Sequence, residues 1–125
     1  MKNEKHFSVA DRGRSFRFAL DGIIAFFRNE HNALLHLLAT VALVALVIFY
    51  PVSRTELVAL IIVAGIVWMA ELFNTAIEKL VDFVSVERHP SIKFIKDVSA
   101  AAVLVAALAA LATGAIIFIP KIFSL

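Results

Sequence analysis

Four polar side chains recur in one apolar segment at intervals that place them on the same side of a helix. They are Glu71, Asn74, Glu78 and Asp82, and at about 3.6 residues per turn they fall within an arc of roughly 80°. Such a strip suits proton abstraction by Glu71, with Asn74 orienting Glu71 or its substrate, and cation binding by Glu78. This chemistry depends on the elements that hold the strip in place.

The depth of the strip follows from its distance along the segment. Glu71 follows residues 57–70, which are uncharged and almost wholly apolar. At about 1.5 Å per residue from residue 57, Glu71 lies about 21 Å along a helix and Glu78 about 31 Å. Because a hydrocarbon core is about 30 Å thick, we expect Glu71 below a membrane surface and Glu78 at it. A carboxylate at that depth costs at least about 2.5 kcal/mol, and side chains of this kind are generally functional.

Two other interpretations of the strip stay open. A protonated Glu71 and Asn74 would join neighbouring helices by hydrogen bonds in a noncatalytic small membrane subunit. Intramembrane acids also line proton and cation pathways. Residues 57–70 offer no polar relay across the rest of a membrane, which disfavours a pathway.

The composition indicates a single membrane domain over residues 1–125. Hydrophobic residues make up 62% of the chain, more than a soluble domain of this length buries. Apolar segments at 33–50, 57–77 and 98–119 approach or exceed the roughly 20 residues that cross a bilayer. The second segment continues to Asp82 without Gly or Pro, and Pro90 favours a helix start. We therefore predict an all-α protein with transmembrane helices at 33–50, 57–82 and 91–119.

Positive charge is distributed unevenly along the chain. Ten of the 12 Lys and Arg residues fall before the first span or around the loop between the second and third. They are Lys2, Lys5, Arg12, Arg14, Arg17, Arg28, Lys79, Arg88, Lys93 and Lys96. Cytoplasmic loops carry this excess, so we expect the N-terminus and the second loop in the cytoplasm.

Residues 14–30 have the pattern of an amphipathic surface helix, and residues 1 to about 11 are expected to be polar and irregular. The apolar face of the helix is formed by Phe16, Leu20, Ile23, Ile24 and Phe27. Arg14, Arg17, Asp21 and Arg28 fall mostly on the other side. Helices of this composition lie on membrane surfaces. The alternative is that this helix packs on other protein.

Several kinds of site are excluded or disfavoured. The chain has no cysteine, so disulfides and thiolate chemistry are excluded. Its four glycines form no phosphate-binding loop, and no nucleic-acid partner is expected. The first apolar run starts after some thirty residues, which disfavours a signal peptide. His31, His36 and His89 are too scattered for a metal triad, and His36 is better explained as an interhelical hydrogen-bonding residue.

A nucleotide would therefore have to be bound by cationic side chains and a metal. Arg14, Arg17, Arg88 and Lys96 are suited to neutralise its phosphates, although contact with anionic lipid explains the same charges. Glu30 and Glu78 are suited to hold Mg²⁺, which takes one or two carboxylates together with substrate phosphates. Lys96 and Asp97 stand at the same end of the third span.

Longer stretches of the sequence resemble a known family. The runs ELFNTAIEKLVD and KDVSAAAVL, with RSFRFALDGI, RNEHN and IIFIPKIF, are similar to the small prokaryotic membrane lipid kinases, the diacylglycerol and undecaprenol kinase family. The resemblance covers residues 14–123. It implies a homotrimer of three-helix subunits in the bacterial inner or plasma membrane, with active sites between subunits. It also implies transfer of the γ-phosphoryl group of ATP, with Mg²⁺, to a membrane lipid hydroxyl.

The resemblance also implies a role for each matching residue. Glu71 matches the catalytic base and Asn74 the asparagine of the motif, while Glu30 and Glu78 match the metal-binding pair. The residues that match the nucleotide contacts are Glu87, Arg88, His89, Lys96 and Asp97. Three positions depart from the better-known diacylglycerol kinases: Ser99 and Ala100 replace a glycine and a serine, and Asp11 replaces a basic residue. The NEHN run, His36 and the PKI tail resemble the undecaprenol kinase branch, so the lipid is diacylglycerol or undecaprenol.

Overall fold

The structure is a computed structural model that describes residues 6–124. It contains four helices, which are α1 (Val9–Asn29), α2 (His31–Phe49), α3 (Arg54–Val84) and α4 (Pro90–Ile122). No residue in the described range forms a strand. The prediction of an all-α fold is therefore confirmed. Of the N-terminal segment expected to be irregular, residues 1–5 lie outside the described residues.

Three of the helices have the dimensions of membrane spans. By length and composition, α2, α3 and α4 are each long and apolar enough to cross a bilayer. The second of these spans, α3, extends past its apolar part to Val84, because residues 71–84 contain no glycine or proline. The third predicted span begins at Pro90, the first residue of α4, where the missing N–H of proline costs no helical hydrogen bond. It ends at Ile122, with Pro120 inside its last turn.

The first compact unit comprises residues up to Leu34 and contains α1. This helix starts at Val9, five residues before the predicted start at residue 14. The reason is a side-chain cap, because the hydroxyl of Ser8 accepts a hydrogen bond from the backbone N–H of Asp11. Phe16, Leu20 and Ile23 are exposed.

The second compact unit begins at Leu35 and contains the antiparallel pair α3 and α4. Pro51 follows the end of α2, and α3 then begins with a capping box. In this box Ser53 accepts from the backbone N–H of Glu56, and the Glu56 carboxylate accepts from the backbone N–H of Ser53. Lys121 forms an ion pair with the same carboxylate at 3.2 Å. The start of α3 is thus joined to the end of α4.

A small apolar core fills the same end of this unit. Leu60 of α3 packs with Ile117 and Phe118 of α4, and all three are buried. The side chains packed around them come from α2 and the turn after it, and they are Leu43, Leu46, Val47, Tyr50 and Val52. The Tyr50 and Phe118 rings meet edge to face at 6.5 Å between centroids. Apolar side chains therefore pack together where α3 begins and α4 ends. The polar strip lies toward the opposite end of α3.

Ser53→Ala should destabilise the folded protein by about 1 kcal/mol, since it removes the side-chain half of the capping box. Thermal unfolding in detergent micelles measures the change. Thr55→Ala is the matched control, because Thr55 is an exposed residue in the first turn of the same helix and should leave stability unchanged or slightly raised. Equal stability of the two variants would contradict a stabilising cap at Ser53.

Candidate active site

Glu71 is the most enclosed polar side chain of the strip. It lies in the middle part of α3 and is only 2% exposed. One carboxylate oxygen, Oε2, lies 3.2 Å from Nε2 of His36 on α2. The predicted interhelical hydrogen bond of His36 is therefore present, and its partner is the residue proposed as a base. A buried carboxylate requires such a partner, because an unpaired charge in an apolar environment is strongly disfavoured.

The ring of His36 is held by neighbouring side chains. Its centroid lies 5.9 Å from the ring centroid of Trp68, one turn before Glu71 on α3. The indole N–H of Trp68 donates to the hydroxyl of Thr40 at 3.0 Å, and that hydroxyl donates to the backbone carbonyl of His36 at 2.8 Å. These contacts restrict the orientations open to the imidazole. Trp68, expected from the sequence only to pack, thus also joins α3 to α2 by a hydrogen bond.

Asn74, one turn after Glu71, is also buried and is bonded to α4. Its Oδ1 accepts a hydrogen bond of 2.7 Å from the hydroxyl of Ser99 on α4. Both residues are buried, with 8% and 7% of their surface exposed. The amide nitrogen Nδ2 of Asn74 has no hydrogen-bond partner within the described range. Every fully buried side-chain N or O there has one, so Nδ2 is not completely enclosed.

The other end of the strip is charged and more open. Glu78 is half-buried and close enough to attract the ammonium group of Lys96. Lys96 itself donates to Oδ1 of Asp82 at 2.6 Å. This ion pair joins the last turns of α3 to the first turns of α4. It gives Asp82, to which the sequence assigned no separate role, a clear structural function.

A hollow of about 580 Å³ lies where α3 ends and α4 begins. It brings together all of the predicted nucleotide contacts in this part of the chain, which are Glu87, Arg88, His89, Lys96 and Asp97. Asp82 and Lys93 also line it, and Lys93 is paired with Asp97. The hollow therefore holds three acidic and three basic side chains, so a bound polyphosphate would have to compete with Asp82 and Asp97 for the lysines.

His89 has a structural role that the sequence did not predict. It is the N-cap of α4, and its Nδ1 accepts a hydrogen bond of 3.1 Å from the backbone N–H of Ser91. Histidine is not among the preferred N-cap residues, but here its ring nitrogen takes the place of the usual side-chain oxygen. This bond caps α4 directly after Glu87 and Arg88.

The remaining predicted residues, Arg14, Arg17 and Glu30, belong to the first unit. Arg14 forms an ion pair with Asp11 on the same helix, and Arg17 is exposed. Glu30 is half-buried and forms the C-cap of α1, where its backbone N–H donates to the carbonyl of Phe26. The proposed roles of these three side chains stay predictions.

The sequence predicts that Glu30 and Glu78 hold Mg²⁺. Within residues 6–124, no three His, Asp or Glu side chains form a cluster that could hold a metal ion. Glu78 makes no side-chain hydrogen bond or ion pair in this range, so its oxygens are free to coordinate. A single hard carboxylate fits Mg²⁺ when substrate phosphates supply other ligands.

The hydrogen bond between Ser99 and Asn74 is the main contact that the sequence did not predict. Ser99 stood out only as a departure from a family pattern, and its partner is 25 residues away in the chain. A signal was present, because Ser99 is a polar residue at the start of an alanine-rich apolar segment. In an antiparallel pair it lies across from the strip, three residues beyond the Lys96 that binds Asp82.

Comparison with known proteins agrees with this arrangement. The family described as "Prokaryotic diacylglycerol kinase" matches residues 17–118, which include the strip, the hollow and Ser99. The chain belongs to this family. Membership of the prokaryotic diacylglycerol kinase family confirms the resemblance found in the sequence.

Proteins that are similar to this chain carry two different names. A "Diacylglycerol kinase" of Synechocystis sp. is 33% identical over 89% of this chain and 64% of its own length. An "Undecaprenol kinase" of Bacillus subtilis is 35% identical over 89% of its length and 87% of this chain. A "Diacylglycerol kinase" of Pseudomonas aeruginosa is 40% identical over 71% of this chain and 72% of its own length. The chain thus spans just under two thirds of the first relative and most of the other two.

Ser99→Ala should destabilise the protein by about 1–3 kcal/mol, because Oδ1 of Asn74 would lose its buried donor. Thr113→Ala is the matched control on the same helix, since its hydroxyl bonds only to the backbone carbonyl of Ala109. We expect the control to stay within about 0.5 kcal/mol of the parent protein. Unfolding in detergent micelles compares the two, and equal effects would show that the bond between Ser99 and Asn74 contributes little.

Proposed function

We propose that the protein is an ATP-dependent lipid kinase, which transfers the γ-phosphoryl group of ATP to the hydroxyl of a membrane lipid. The observation that carries the proposal is the buried carboxylate of Glu71 on the same face of α3 as Asn74, in a helix that ends at a charged hollow. Membership of a lipid kinase family supports the same reaction. Such an enzyme acts in phospholipid or lipid-carrier metabolism.

The chemistry proposed for Glu71 is general-base catalysis. Its carboxylate takes the proton of the lipid hydroxyl while the lipid oxygen forms a bond to the γ-phosphorus. The bond between that phosphorus and the bridging oxygen breaks, and ADP leaves with the electron pair. Asn74 is suited to orient the hydroxyl or the carboxylate through Nδ2, because its Oδ1 is already held by Ser99. Phosphoryl transfer depends mainly on such positioning and on charge stabilisation.

The nucleotide is assigned to the water-exposed end of the strip. Arg88 and Lys96 supply positive charge for the phosphates, and His89 caps the helix that carries Lys96. Lys96 would exchange Asp82 for a phosphate oxygen or bridge the two. Glu78 would hold Mg²⁺, with Glu30 as the second carboxylate predicted from the sequence. When bound, the metal neutralises charge on the transferred phosphoryl group.

The assembly and orientation are proposed from the sequence. The distribution of Lys and Arg supports a cytoplasmic N-terminus and a cytoplasmic hollow, where ATP is available. The resemblance supports a homotrimer, one multi-pass domain per subunit, in the inner or plasma membrane. A lipid hydroxyl near the headgroup level suits the depth of Glu71, which lies about 16 Å from Asp82 along the helix axis.

A second function is favoured by the same hydrogen bonds. Glu71 contacts α2 and Asn74 contacts α4, which is what an assembly role for the polar strip predicts. In that case the protein would be a noncatalytic membrane subunit. The two functions differ in their consequences, since only the kinase requires Glu71 for a reaction.

The purified protein should transfer phosphate from Mg-ATP to a lipid alcohol in mixed micelles. Diacylglycerol and undecaprenol should be compared side by side, with radiolabelled phosphate followed into each lipid. His36 and the terminal PKI sequence resemble the undecaprenol branch, so we expect undecaprenol to be the better acceptor. A folded, membrane-inserted preparation that phosphorylates neither these nor other lipid alcohols would contradict the proposed function.

Glu71→Gln should lower kcat by about 10²–10⁴-fold, the usual contribution of a general base. Binding of a nonhydrolysable ATP analogue should be retained, because Glu71 lies away from the hollow. Asp21→Asn is the control, as it removes a carboxylate from an exposed position of α1 and should keep the parental rate. Light scattering in detergent separates the two functions: the noncatalytic subunit predicts that the parent protein transfers no phosphate and that Glu71→Gln loses its assembly.

A further inference from the structure

The two oxygens of Glu71 have different surroundings. Oε2 is paired with Nε2 of His36 at 3.2 Å. Oε1 makes no hydrogen bond to any described residue. Among these residues no fully buried side-chain oxygen or nitrogen lacks a partner, so Oε1 is not completely enclosed. Glu71 thus has one bonded oxygen and one that is neither bonded to a described residue nor completely enclosed, in a side chain that is only 3% exposed.

A purely structural hydrogen bond would not require this asymmetry. A carboxyl group that only joins helices is most stable when both oxygens are satisfied, because an unpaired polar atom in an apolar environment costs free energy. A general base needs the opposite arrangement, with one oxygen restrained and the other facing the proton to be removed. The contacts of Glu71 match the second arrangement.

His36 is well placed to impose this difference. Its ring packs against Trp68, and Trp68 is anchored through Thr40 to the backbone carbonyl of His36 itself. When the neutral ring carries its proton on Nε2, that N–H donates to Oε2. Glu71 is the titratable side chain that faces His36 from α3. The rotation of the carboxylate is then limited, and Oε1 keeps a constant direction.

We propose that His36 is a positioning residue for the reaction, which holds Oε2 of Glu71 and thereby presents Oε1 to the lipid hydroxyl. The inference rests on the proposed function, since it assumes that Glu71 is the base. His36 itself exchanges no proton with the substrate in this scheme. It lowers the barrier by keeping the base in a reactive orientation, because misplacement of a catalytic group by about 1 Å can cost about 10²-fold in rate.

Two substitutions of His36 separate positioning from packing. His36→Gln keeps an N–H donor of similar reach but loses the ring that contacts Trp68. His36→Phe keeps a ring of similar shape but loses the donor. A positioning role predicts that His36→Gln retains most of the kcat and that His36→Phe loses about tenfold or more, with the KM for ATP unchanged in both. A packing role predicts the reverse order.

The kinetics should be measured in mixed micelles, with diacylglycerol or undecaprenol, whichever the parent protein phosphorylates faster. His6→Gln, an exposed histidine outside the helices, is the control for the substitution itself and should keep the parental kcat. If His36→Phe does not fold, His36→Met replaces it, because Met and Gln have similar length and only Gln donates a hydrogen bond. Rates are expressed per folded protein, with thermal unfolding measured for each variant.

The kinetic results test the role of His36 and the role of Glu71 separately. A kcat for His36→Phe or His36→Met within twofold of the parent would overturn the positioning role, as would equal losses in His36→Gln and the variants without a donor. Glu71→Gln belongs in the same series. If it retains full activity, the base assigned in the proposed function is wrong. If it is inactive while all His36 variants are unaffected, only the inference about His36 fails.

Discussion

The enclosed carboxylate of Glu71 is the constraint on which the rest of this structure depends. A membrane interior offers no water to satisfy a polar side chain, so each such group must find its partner within the protein. Here the partner is His36 on α2, and the next polar residue of the strip, Asn74, finds its partner in Ser99 on α4. Two adjacent turns of α3 are therefore bonded to both neighbouring helices. The relative positions of the three helices are fixed where the chemistry is proposed to occur.

Two ion pairs, one at each end of the α3 and α4 pair, add a second constraint on how these helices are aligned. Glu56 binds Lys121 at one end, and Asp82 binds Lys96 at the other. From Glu56 to Asp82 the helix rises about 39 Å at about 1.5 Å per residue, which exceeds the roughly 30 Å of a hydrocarbon core. Both ion pairs are thus suited to the interfaces, where charged groups remain partly hydrated. Ion pairs at such exposed positions contribute little stability by themselves, so we infer that they mainly set the register between the two helices.

Much of the fold could be predicted from spacing along the sequence. Apolar segments of sufficient length and the position of Pro90 indicated the helices, and a helix has fixed geometry, so the common face of Glu71 and Asn74 followed directly. Contacts between helices depend on their register and rotation, which spacing within one helix does not determine. The bond of Asn74 to Ser99 and that of Asp82 to Lys96 were missed for this reason. The early start of α1 was a local signal that was overlooked, since the Ser8 side chain caps the N–H of Asp11 three residues later.

Catalysis and assembly are often treated as competing explanations of a polar residue in a membrane helix, but the bonds of Glu71 and Asn74 are compatible with both. Hydrogen bonds between membrane helices contribute only modestly to association, about 0.6 kcal/mol on average, which is less than the cost of enclosing a carboxylate. Assembly alone would therefore be achieved more easily by apolar packing, such as that of Leu60 with Phe118 at the far end. The bonds of Glu71 and Asn74 are better explained as restraints on groups that react: each leaves one polar atom, Oε1 or Nδ2, without a partner among residues 6–124. A site at the membrane surface needs such atoms on its lipid side and charged side chains on its aqueous side, and α3 carries both on one face.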